Sequence, residues 1–409
     1  MNKGKGTFAP PVNYQLPAQA LGVVAGDFNN DGKPDVAVMT GGAGNISVLL
    51  NSGTGTFSQA TSYAINGYGY SIAVGDFNKD GNLDIVATDY GSGTVSVLLG
   101  NGKGAFPSYV VYPTGTLAYS VTVGDFNHDG WPDLAVTNQQ SQTVSILINK
   151  ADGSGTFLPK VDYTIPGGPV SIAAGSFRGN GTLDLVVTTN SAFPGIVVLL
   201  GNNDGTFQTP VPYNTMNDAY AVTVGDFNND GNLDLAVTIV SAGSNFGYVE
   251  VMPGAGDGTF GAGVTLATGA LPAGVVAADF NGDGSRDLAT ANGTTAGDSG
   301  SASVLLNEAV VGVAPNSLIF KSQKVGTTSA AQVITVSNPG AAPLKITSIT
   351  ISGDFTQTNN CPAKLTTGKD CTVDVSFSPT QTGTRTGTLS IKDSALTKVQ
   401  TIALTGSGS

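Results

Sequence analysis

Short apolar runs alternate with turns rich in Gly, Asn and Asp along most of the chain. In one stretch the runs predict strands at 70–74, 84–88 and 95–99, and a Gly-rich turn then opens a fourth strand. This series recurs six times, and Gly-Thr-Phe marks the turn at 55–57, 155–157, 205–207 and 258–260. Four short antiparallel strands per repeat are typical of a propeller blade. The pattern therefore predicts an all-β chain with a six-bladed β-propeller over residues 1–308.

A polar nine-residue loop separates the first two strands of each repeat. The loops begin at residues 27, 76, 125, 176, 226 and 279, and five of them have Asp at positions one, five and nine, Asn at three and Gly at six. Calcium takes about six to eight oxygen ligands, which these side chains, the position-seven carbonyl and water would supply together. An EF-hand is excluded because strands flank the loops. We expect about five Ca²⁺ ions per chain; the alternative is that the loops are merely polar turns.

The expected ligands are Asp27, Asn29, Asp31, Lys33 and Asp35; Asp76, Asn78, Asp80, Asn82 and Asp84; Asp125, Asn127, Asp129, Trp131 and Asp133; Asp226, Asn228, Asp230, Asn232 and Asp234; and Asp279, Asn281, Asp283, Ser285 and Asp287. The fourth loop differs, because Ser176 and Arg178 replace the Asp and Asn of positions one and three. We expect no ion there, since the positive charge of Arg178 can replace it.

The two ends of the repeat region are complementary. The chain opens on the fourth-strand signature Gly6-Thr7-Phe8, and the last repeat ends at its third strand, near residues 303–306. Pairing the N-terminal strand with the last blade would close the ring and remove exposed strand edges.

Charge and composition restrict the partners and the location. The chain has 29 acidic and 17 basic residues, and its net charge of −12 would become about −2 if five divalent ions were bound. Basic residues form no track for nucleic acid, and no apolar stretch approaches the roughly 20 residues of a membrane helix. The first residues lack a signal-peptide core. Because these calcium loops suit extracellular conditions, we expect an exported chain in which either Met1 is an added start or a leader was removed.

Residues for catalysis are scarce, which favours a non-enzymatic protein. The sole histidine, His128, occupies a non-ligand loop position, and Glu occurs only at 250 and 308. The propeller face opposite the loops offers binding chemistry instead. We expect three tyrosines on this face, each six residues before the start of its loop: Tyr70, Tyr119 and Tyr220. The turns between the second and third strands add Asp89–Tyr90, 138–140, Asn190 with Phe193, and Asn245 with Phe246. Aromatic rings beside amides suit capture of a glycan or a protein; alternatively, the tyrosines pack between blades.

After Glu308 the acidic loops stop, and residues 309–409 form a second region. Alternating strands at 332–337, 344–351, 371–377 and 386–391 indicate about seven strands in an immunoglobulin-like β-sandwich.

The Asp-Phe-Asn-x-Asp-Gly-x-x-Asp loops resemble FG-GAP repeats, also described as VCBS repeats, of integrin alpha chains and bacterial secreted proteins. The resemblance covers about residues 6–308. It implies calcium in the five intact loops and a secreted or cell-surface, bacterial protein. That family includes adhesion receptors, lectins and accessory parts of polysaccharide-degrading enzymes. The resemblance therefore leaves three functions open: surface interaction or adhesion, a carbohydrate-active enzyme or its accessory module, and a self-assembling structural subunit.

The C-terminal region resembles the choice-of-anchor D, or ASPM–SPD-2–Hydin type, immunoglobulin-like domain. The resemblance rests on residues 353–361, Cys371 and residues 377–387. The only cysteines, Cys361 and Cys371, flank a predicted hairpin. In an exported protein such a pair is expected to form a disulfide, the alternative being two buried free thiols.

Overall fold

The chain folds entirely into β-structure over the residues that can be described. The computed structural model describes residues 10–42, 44–191, 195–215, 217–241, 246–293, 300–340, 342–395 and 399–409. Within these ranges the chain forms strands and no helix, as the alternation of apolar and turn residues predicts. Accordingly, the described residues contain no helix long and apolar enough to cross a membrane.

Six antiparallel sheets, here called blades 1 to 6, follow one another along the chain. Blade 1 contains β1 (Ala20–Gly26), β2 (Asp35–Thr40), β3 (Asn45–Leu49) and β4 (Thr61–Ala64). Blade 2 contains β5 (Ile72–Gly75), β6 (Asp84–Asp89), β7 (Thr94–Leu98) and β8 (Tyr109–Pro113). Blade 3 contains β9 (Ala118–Gly124), β10 (Asp133–Asn138), β11 (Thr143–Leu147) and β12 (Val161–Thr164).

The later blades keep this order until the last one. Blade 4 contains β13 (Pro169–Gly175), β14 (Asp184–Thr189), β15 (Ile196–Leu199) and β16 (Val211–Tyr213). Blade 5 contains β17 (Asp218–Gly225), β18 (Asp234–Val240), β19 (Gly247–Met252) and β20 (Val264–Ala267). Blade 6 has three strands in the described residues, β21 (Pro272–Ala278), β22 (Asp287–Asn292) and β23 (Ser301–Leu305). The six-bladed propeller architecture predicted from the sequence is confirmed.

The second strand of each of blades 2 to 5 has its two faces against different neighbours. On β6, Ile85 and Ala87 pack into the core with blade 1, whereas Val86 packs into the core with blade 3. This is why the strand is apolar at consecutive positions instead of alternating with polar residues.

Aromatic pairs join successive blades on the side of the acidic loops. The Phe at loop position two packs edge-on against the turn Phe of the following blade. The ring centroids are 5.8 Å apart for Phe28–Phe106, 5.6 Å for Phe77–Phe157, 5.6 Å for Phe126–Phe207 and 5.2 Å for Phe177–Phe260. Each pair spans one junction, so it sets the spacing between the blades.

The junction between blades 6 and 1 differs from the others. The innermost strands contact one another from β1 through β5, β9, β13 and β17 to β21, but β21 makes no comparable contact with β1. In the described part of the chain, β23 pairs with β22 alone. The predicted closing strand, Gly6-Thr7-Phe8, lies outside the described residues.

The C-terminal region forms two facing sheets. Its strands are β24 (Gly312–Ala314), β25 (Ser317–Ile319), β26 (Gln332–Ser337), β27 (Leu344–Ile351), β28 (Phe355–Asn359), β29 (Lys364–Leu365), β30 (Asp370–Phe377), β31 (Gly383–Asp393) and β32 (Val399–Gly408). One sheet has the order β24-β26-β30-β28, and the other has the order β25-β32-β31-β27-β29. The predicted sandwich is confirmed, with nine strands instead of about seven.

The sandwich core is built from inward-facing residues of both sheets. Phe355 and Phe377 stack with ring centroids 4.9 Å apart, and Phe320 packs against both. Cys361 and Cys371 form a disulfide. Of the two alternatives left open by the sequence, the disulfide is therefore confirmed. It joins the segment after β28 to the start of β30.

Candidate functional site

Each acidic loop is a tight turn closed by its own side chains. In blade 1 the Asp27 carboxylate accepts the N–H groups of Asp31 at 3.1 Å and Gly32 at 2.7 Å. The Asn29 amide donates to the Asp31 carboxylate at 3.3 Å, and Asp31 accepts the N–H of Lys33 at 3.0 Å. Gly32 has φ of 81°, a conformation that glycine adopts without strain. The turn therefore gathers the side chains of positions one, three and five.

The position-nine Asp has a structural task in addition to the predicted ligand role. Asp35 is fully buried, and its two carboxylate oxygens accept the N–H groups of Phe28 at 2.9 Å and Asn51 at 2.7 Å. The same two contacts recur in all six blades. These carboxylates thus tie each loop to the end of the third strand. A carboxylate has about four acceptor positions, so two amide contacts leave room for a cation.

Negative charge accumulates in these loops. The pKa values of Asp84 and Asp133 are each raised to about 6, mainly by burial and further by the two other loop carboxylates, against the opposing effect of the backbone N–H contacts. Burial also raises the pKa values of Asp234 and Asp287. The carboxylates of one loop therefore lie close enough to repel each other, and a bound cation would relieve that repulsion.

The fourth loop places an arginine where the others carry an asparagine. The Arg178 guanidinium contacts the buried Asp184 carboxylate through Nη2 at 2.5 Å and Nε at 3.3 Å. Nη2 also donates to the Gly201 carbonyl at 2.6 Å. The hydroxyl of Ser176 accepts the N–H of Gly181 at 3.0 Å, as the position-one Asp does elsewhere. The turn is thus retained while a positive charge is supplied by the chain itself.

The donor atoms of the loops are of the types that suit a hard cation, but in the described residues they are not arranged as a complete set of metal ligands. Among the described residues, no group of three or more His, Cys, Asp and Glu side chains is arranged to hold a metal ion. Each intact loop instead combines carboxylates, a side-chain amide oxygen and a backbone carbonyl, which are the donors that calcium prefers. The five predicted ligand sets remain a prediction.

Tyrosines form a compact cluster at the other end of the blade 2 and blade 3 strands. Tyr70 and Tyr119 stack with ring centroids 4.7 Å apart, and Tyr90 lies edge-on to Tyr70 at 5.0 Å. Tyr68 contacts Tyr90 at 5.8 Å. We call Tyr68, Tyr70, Tyr90 and Tyr119 the tyrosine cluster. The predicted third member, Tyr220, makes no ring contact with this cluster. The pKa of Tyr119 is raised mainly by burial, then by Tyr70 and Tyr90, and least by Tyr220.

The backbone around Gly69 explains how Tyr68 and Tyr70 both come to lie beside the Tyr90 ring. The Tyr90 N–H donates to the Tyr68 carbonyl at 2.8 Å. A Cβ on Gly69 would lie 1.7 Å from the Thr88 carbonyl oxygen, so only glycine allows this approach. Tyr68 and Tyr70 flank Gly69 and both reach the Tyr90 ring. Their i, i+2 spacing is the sequence signal that would have added Tyr68 to the predicted face.

A buried carboxylate, Asp89, precedes Tyr90 of the tyrosine cluster at the end of β6. One oxygen of Asp89 accepts the hydroxyls of Thr94 and Ser96, each at 2.9 Å, while the other has no partner among the described residues. Burial raises the Asp89 pKa to about 6, against the effect of these hydroxyls. The equivalent residue of blade 3 is Asn138, which donates to Thr143 and Ser145 at 3.0 and 2.8 Å.

Polar residues of the neighbouring turns complete this face in part. The Tyr90 hydroxyl donates to the Gln139 side chain at 3.2 Å, and Phe246 is 79% exposed. Phe193 and Asn245 lie outside the described residues. His128 is an exposed residue of the third acidic loop, at the opposite ends of the strands from the tyrosine cluster. The structure thus brings two of the three predicted tyrosines together and adds Tyr68 and Tyr90.

Sequence-family comparisons agree with the two structural regions. A model of the FG-GAP-like repeat matches residues 1–38, 37–87, 76–136, 128–187, 177–237 and 238–290. A model described as Cep192 domain 4 matches residues 310–409. No curated protein sequence matches the chain.

Solved structures show similarity in fold at low sequence identity. A putative 6-phosphogluconolactonase from Bacteroides uniformis is 17% identical with a TM-score of 0.50, covering 67% of this chain and 78% of that one. BBS1N in complex with ARL6DN is 11% identical with a TM-score of 0.48, covering 90% and 94%. The PapD-like domain 7 of human CEP192 is 15% identical with a TM-score of 0.22, covering 25% and 88%.

The family matches extend over most of the chain and coincide with the sheets. Six consecutive repeat matches span residues 1–290, and the strands of blades 1 to 6 lie between Ala20 and Leu305. The C-terminal match coincides with the sandwich strands β24 to β32. The chain belongs to the FG-GAP-like repeat family and carries a Cep192-type, immunoglobulin-like domain at its C-terminus.

Proposed function

We propose that this chain is a calcium-stabilised, non-enzymatic interaction protein of the cell surface or extracellular space. Its ligand is a glycan or an extracellular protein, captured on the propeller face opposite the acidic loops. The observation that carries the proposal is the tyrosine cluster, which places four aromatic side chains at one end of blades 2 and 3. Tyrosine combines apolar area with a hydroxyl, which suits both kinds of ligand.

The exposure of the cluster supports binding over packing alone. Tyr68 is 40% exposed, and Tyr70, Tyr90 and Tyr119 are half-buried. Two of the tyrosines that pack between blades behave differently, because their hydroxyls contact loop backbone: Tyr163 accepts the Phe207 N–H at 2.8 Å, and Tyr63 donates to the Gly104 carbonyl at 3.1 Å. The cluster's edges therefore remain available to a ligand while its stacked core is held in place.

Calcium is proposed for the five intact loops because of the contrast with the fourth. Where the loop acids are lost, a guanidinium compensates the buried position-nine carboxylate. Where the acids are kept, the neighbouring carboxylates add to its negative environment. A divalent cation would do in five blades what Arg178 does in one. Since the loops and the tyrosine cluster lie at opposite ends of the same strands, cation binding would also hold the tyrosine face in shape.

The residues of this face favour a non-enzymatic role. The tyrosine cluster and Gln139 include no nucleophile paired with a base, and the neighbouring Asp89 is fully buried. The alternative is a carbohydrate-active enzyme or its accessory module, for which the same face would be a substrate platform. The similarity to a putative 6-phosphogluconolactonase is one of fold at 17% identity and does not favour this alternative.

The test is a binding screen with matched tyrosine variants. The full chain in about 2 mM Ca²⁺ is applied to a glycan array, a polysaccharide panel and purified extracellular matrix proteins, with cleavage products assayed in parallel. Tyr70→Ala and Tyr119→Ala should each weaken retention by about 1–3 kcal/mol. Tyr109→Ala is the control, because Tyr109 is 39% exposed on the outer strand β8.

The outcomes separate the alternatives. Weaker binding with an unchanged melting temperature supports capture by the cluster. A loss of about 3–5 kcal/mol of stability, as expected for emptying a buried aromatic site, with no ligand retained by the wild-type chain, would contradict it. Cleavage of a polysaccharide would favour the enzyme alternative.

A further inference from the structure

The propeller keeps its positive charges away from the tyrosine cluster. In each antiparallel blade, the segments that join the first strand to the second and the third to the fourth lie at one end, with the acidic loops, and the remaining connections lie at the other end. The Lys and Arg residues between β1 and β23 all stand in segments at the acidic-loop end: Lys33, Lys79, Lys103, Lys150, Lys160, Arg178 and Arg286. An anionic ligand, such as a sulfated glycan, would therefore meet no counter-charge beside the tyrosine cluster.

The charged residues that stand at the tyrosine end are acidic. Asp89 is the last residue of β6 and Asp218 is the first residue of β17, while Asp298 lies outside the described residues. Asp89 directly precedes Tyr90 of the cluster. A Cβ on Gly67 would lie 3.8 Å from the Asp89 Cβ, so this side chain also lies against the turn that leads into Tyr68. The charge next to the tyrosine cluster is thus negative.

The other blades show that the fold does not need an acid at the position of Asp89. The sixth residue of the second strand is neutral in all of them: Thr40, Asn138, Thr189, Ile239 and Asn292. In blade 3 the Asn138 amide accepts the Gly115 N–H at 2.8 Å and donates to Thr143 and Ser145. One oxygen of Asp89, in contrast, is buried without a partner among the described residues. A half-satisfied buried carboxylate is costly, so the acid is a feature of this site and not of the blade.

The rings of the cluster offer the surface that a cation prefers. Tyr70 and Tyr119 are stacked at an interplanar angle of 12°, and Tyr90 stands perpendicular to Tyr70. The faces of aromatic rings attract a cation that lies within about 6 Å of the ring centroid. The propeller uses this contact at its other end, where the Lys79 ammonium lies 4.5 Å from the centroid of the Trp131 ring. Because the connections at the tyrosine end contain no Lys or Arg, a cation there would have to come from another molecule.

We propose that the tyrosine cluster binds a cationic side chain, a lysine ammonium or an arginine guanidinium, of an extracellular protein partner. This inference rests on the proposed function and narrows it, because charge complementarity favours such a protein over a glycan. The cation lies against Tyr68, which is 40% exposed. Asp89 is fully buried, so it attracts the cation through space and not by contact. A neutral glycan would gain nothing from that charge.

A pair of peptides that differ only in charge tests the ligand class. The probes are an immobilised peptide of Gly-Ser-Lys repeats and the same peptide with every lysine acetylated, which removes the charge and keeps the length. Binding of the full chain is measured by biolayer interferometry with Ca²⁺, at neutral pH and physiological ionic strength, where distant charges are largely screened. The lysine peptide should bind about 10-fold more tightly than the acetylated one.

Substitutions at Tyr68 test the role of the ring. Tyr68→Leu should weaken binding of the lysine peptide by roughly 3- to 20-fold, because the aromatic face is lost. Tyr68→Phe keeps that face and should change the affinity by less than about twofold. Equal losses in the two variants would contradict a contact between the cation and the ring.

Substitutions of two acids test the role of Asp89. Asp89→Asn, which reproduces the side chain of Asn138, should weaken binding of the lysine peptide by roughly 3- to 10-fold. Asp152→Asn is the matched control, because it makes the same change of net charge in an exposed turn at the acidic-loop end. This control should bind like the wild type, and the melting temperatures of all variants are measured in parallel.

The outcomes separate this inference from the proposed function. Equal binding of the lysine and acetylated peptides, or equal weakening by Asp89→Asn and Asp152→Asn, would overturn the cationic ligand. If a glycan were retained instead, and Tyr68→Leu released it, the proposed function would stand without this inference. Retention of no peptide and of no ligand in the binding screen would contradict both.

Discussion

Replacing Arg178 with alanine should destabilise the propeller, by an amount that the contacts of its guanidinium determine. Asp184 is fully buried, and the Arg178 side chain is 20% exposed while contacting both carboxylate oxygens and the Gly201 carbonyl. Removing one partner of a buried ion pair costs about 3–5 kcal/mol, because a buried charge remains uncompensated. The partial exposure of Arg178 places the expected loss near the lower limit, at about 3 kcal/mol.

The assay is urea unfolding in excess EGTA, followed by tryptophan fluorescence. The chain has a single tryptophan, Trp131, which lies in the third acidic loop under the Lys79 ammonium, so the signal reports the propeller and not the sandwich. Lys33→Ala is the control, since Lys33 and Asp31 form an ion pair with side chains 42% and 32% exposed. Such pairs contribute about 0–1 kcal/mol.

A double-mutant cycle separates the ion pair from other effects of the substitution. Asp184→Asn removes the buried charge, so Arg178→Ala in that background should cost clearly less than in the wild type, with a coupling of about 1–3 kcal/mol. A coupling near zero, or an Arg178→Ala loss no larger than that of the Lys33 control, would refute the assignment of Arg178 as the charge partner of Asp184.

Two further predictions concern the buried carboxylate and the disulfide. Because burial raises the folded-state pKa of Asp89 to about 6, above its unfolded value, stability from this group is present at low pH and is lost as pH rises from about 4 to 6. Asp89→Asn, which reproduces the Asn138 side chain of blade 3, should reduce that pH dependence by about 2 kcal/mol in unfolding measured with EGTA; an unchanged pH profile would contradict it. Reducing Cys361–Cys371, which are 10 residues apart, should cost the sandwich about 2–3 kcal/mol of unfolding free energy, and equal urea midpoints for the sandwich with and without reductant would contradict this.

The sequence predicts the features that repeat. Six loops of fixed length with Gly at position six define strand ends, and the apolar runs between them define the strands, so the propeller follows from local signals. The sandwich strands 332–337 and 344–351 were predicted with the bounds that the structure has. Alternation of apolar and polar residues specifies such strands without knowledge of their partners.

Features that depend on contacts between repeats could not be predicted in this way. The position-nine Asp was interpreted as a ligand, but its amide partners include residues 16 to 20 positions further along, which the loop motif does not contain. Tyr220 shares the spacing of Tyr70 and Tyr119 but lies two blades from the stacked pair, so spacing alone could not decide its contacts. Tyr68 joins the cluster because the backbone at Gly69 passes close to Thr88.

The central claim about the acidic loops is that five of them hold cations and the fourth does not. Elemental analysis of the full chain, dialysed against calcium and separated from free ion, measures this directly. We predict about five Ca²⁺ per chain, and about six in the variant S176D/R178N, which restores positions one and three of the loop pattern and keeps Asn180, an oxygen donor, at position five. Far fewer than five ions in the wild-type chain, or the same number in both proteins, would contradict the account.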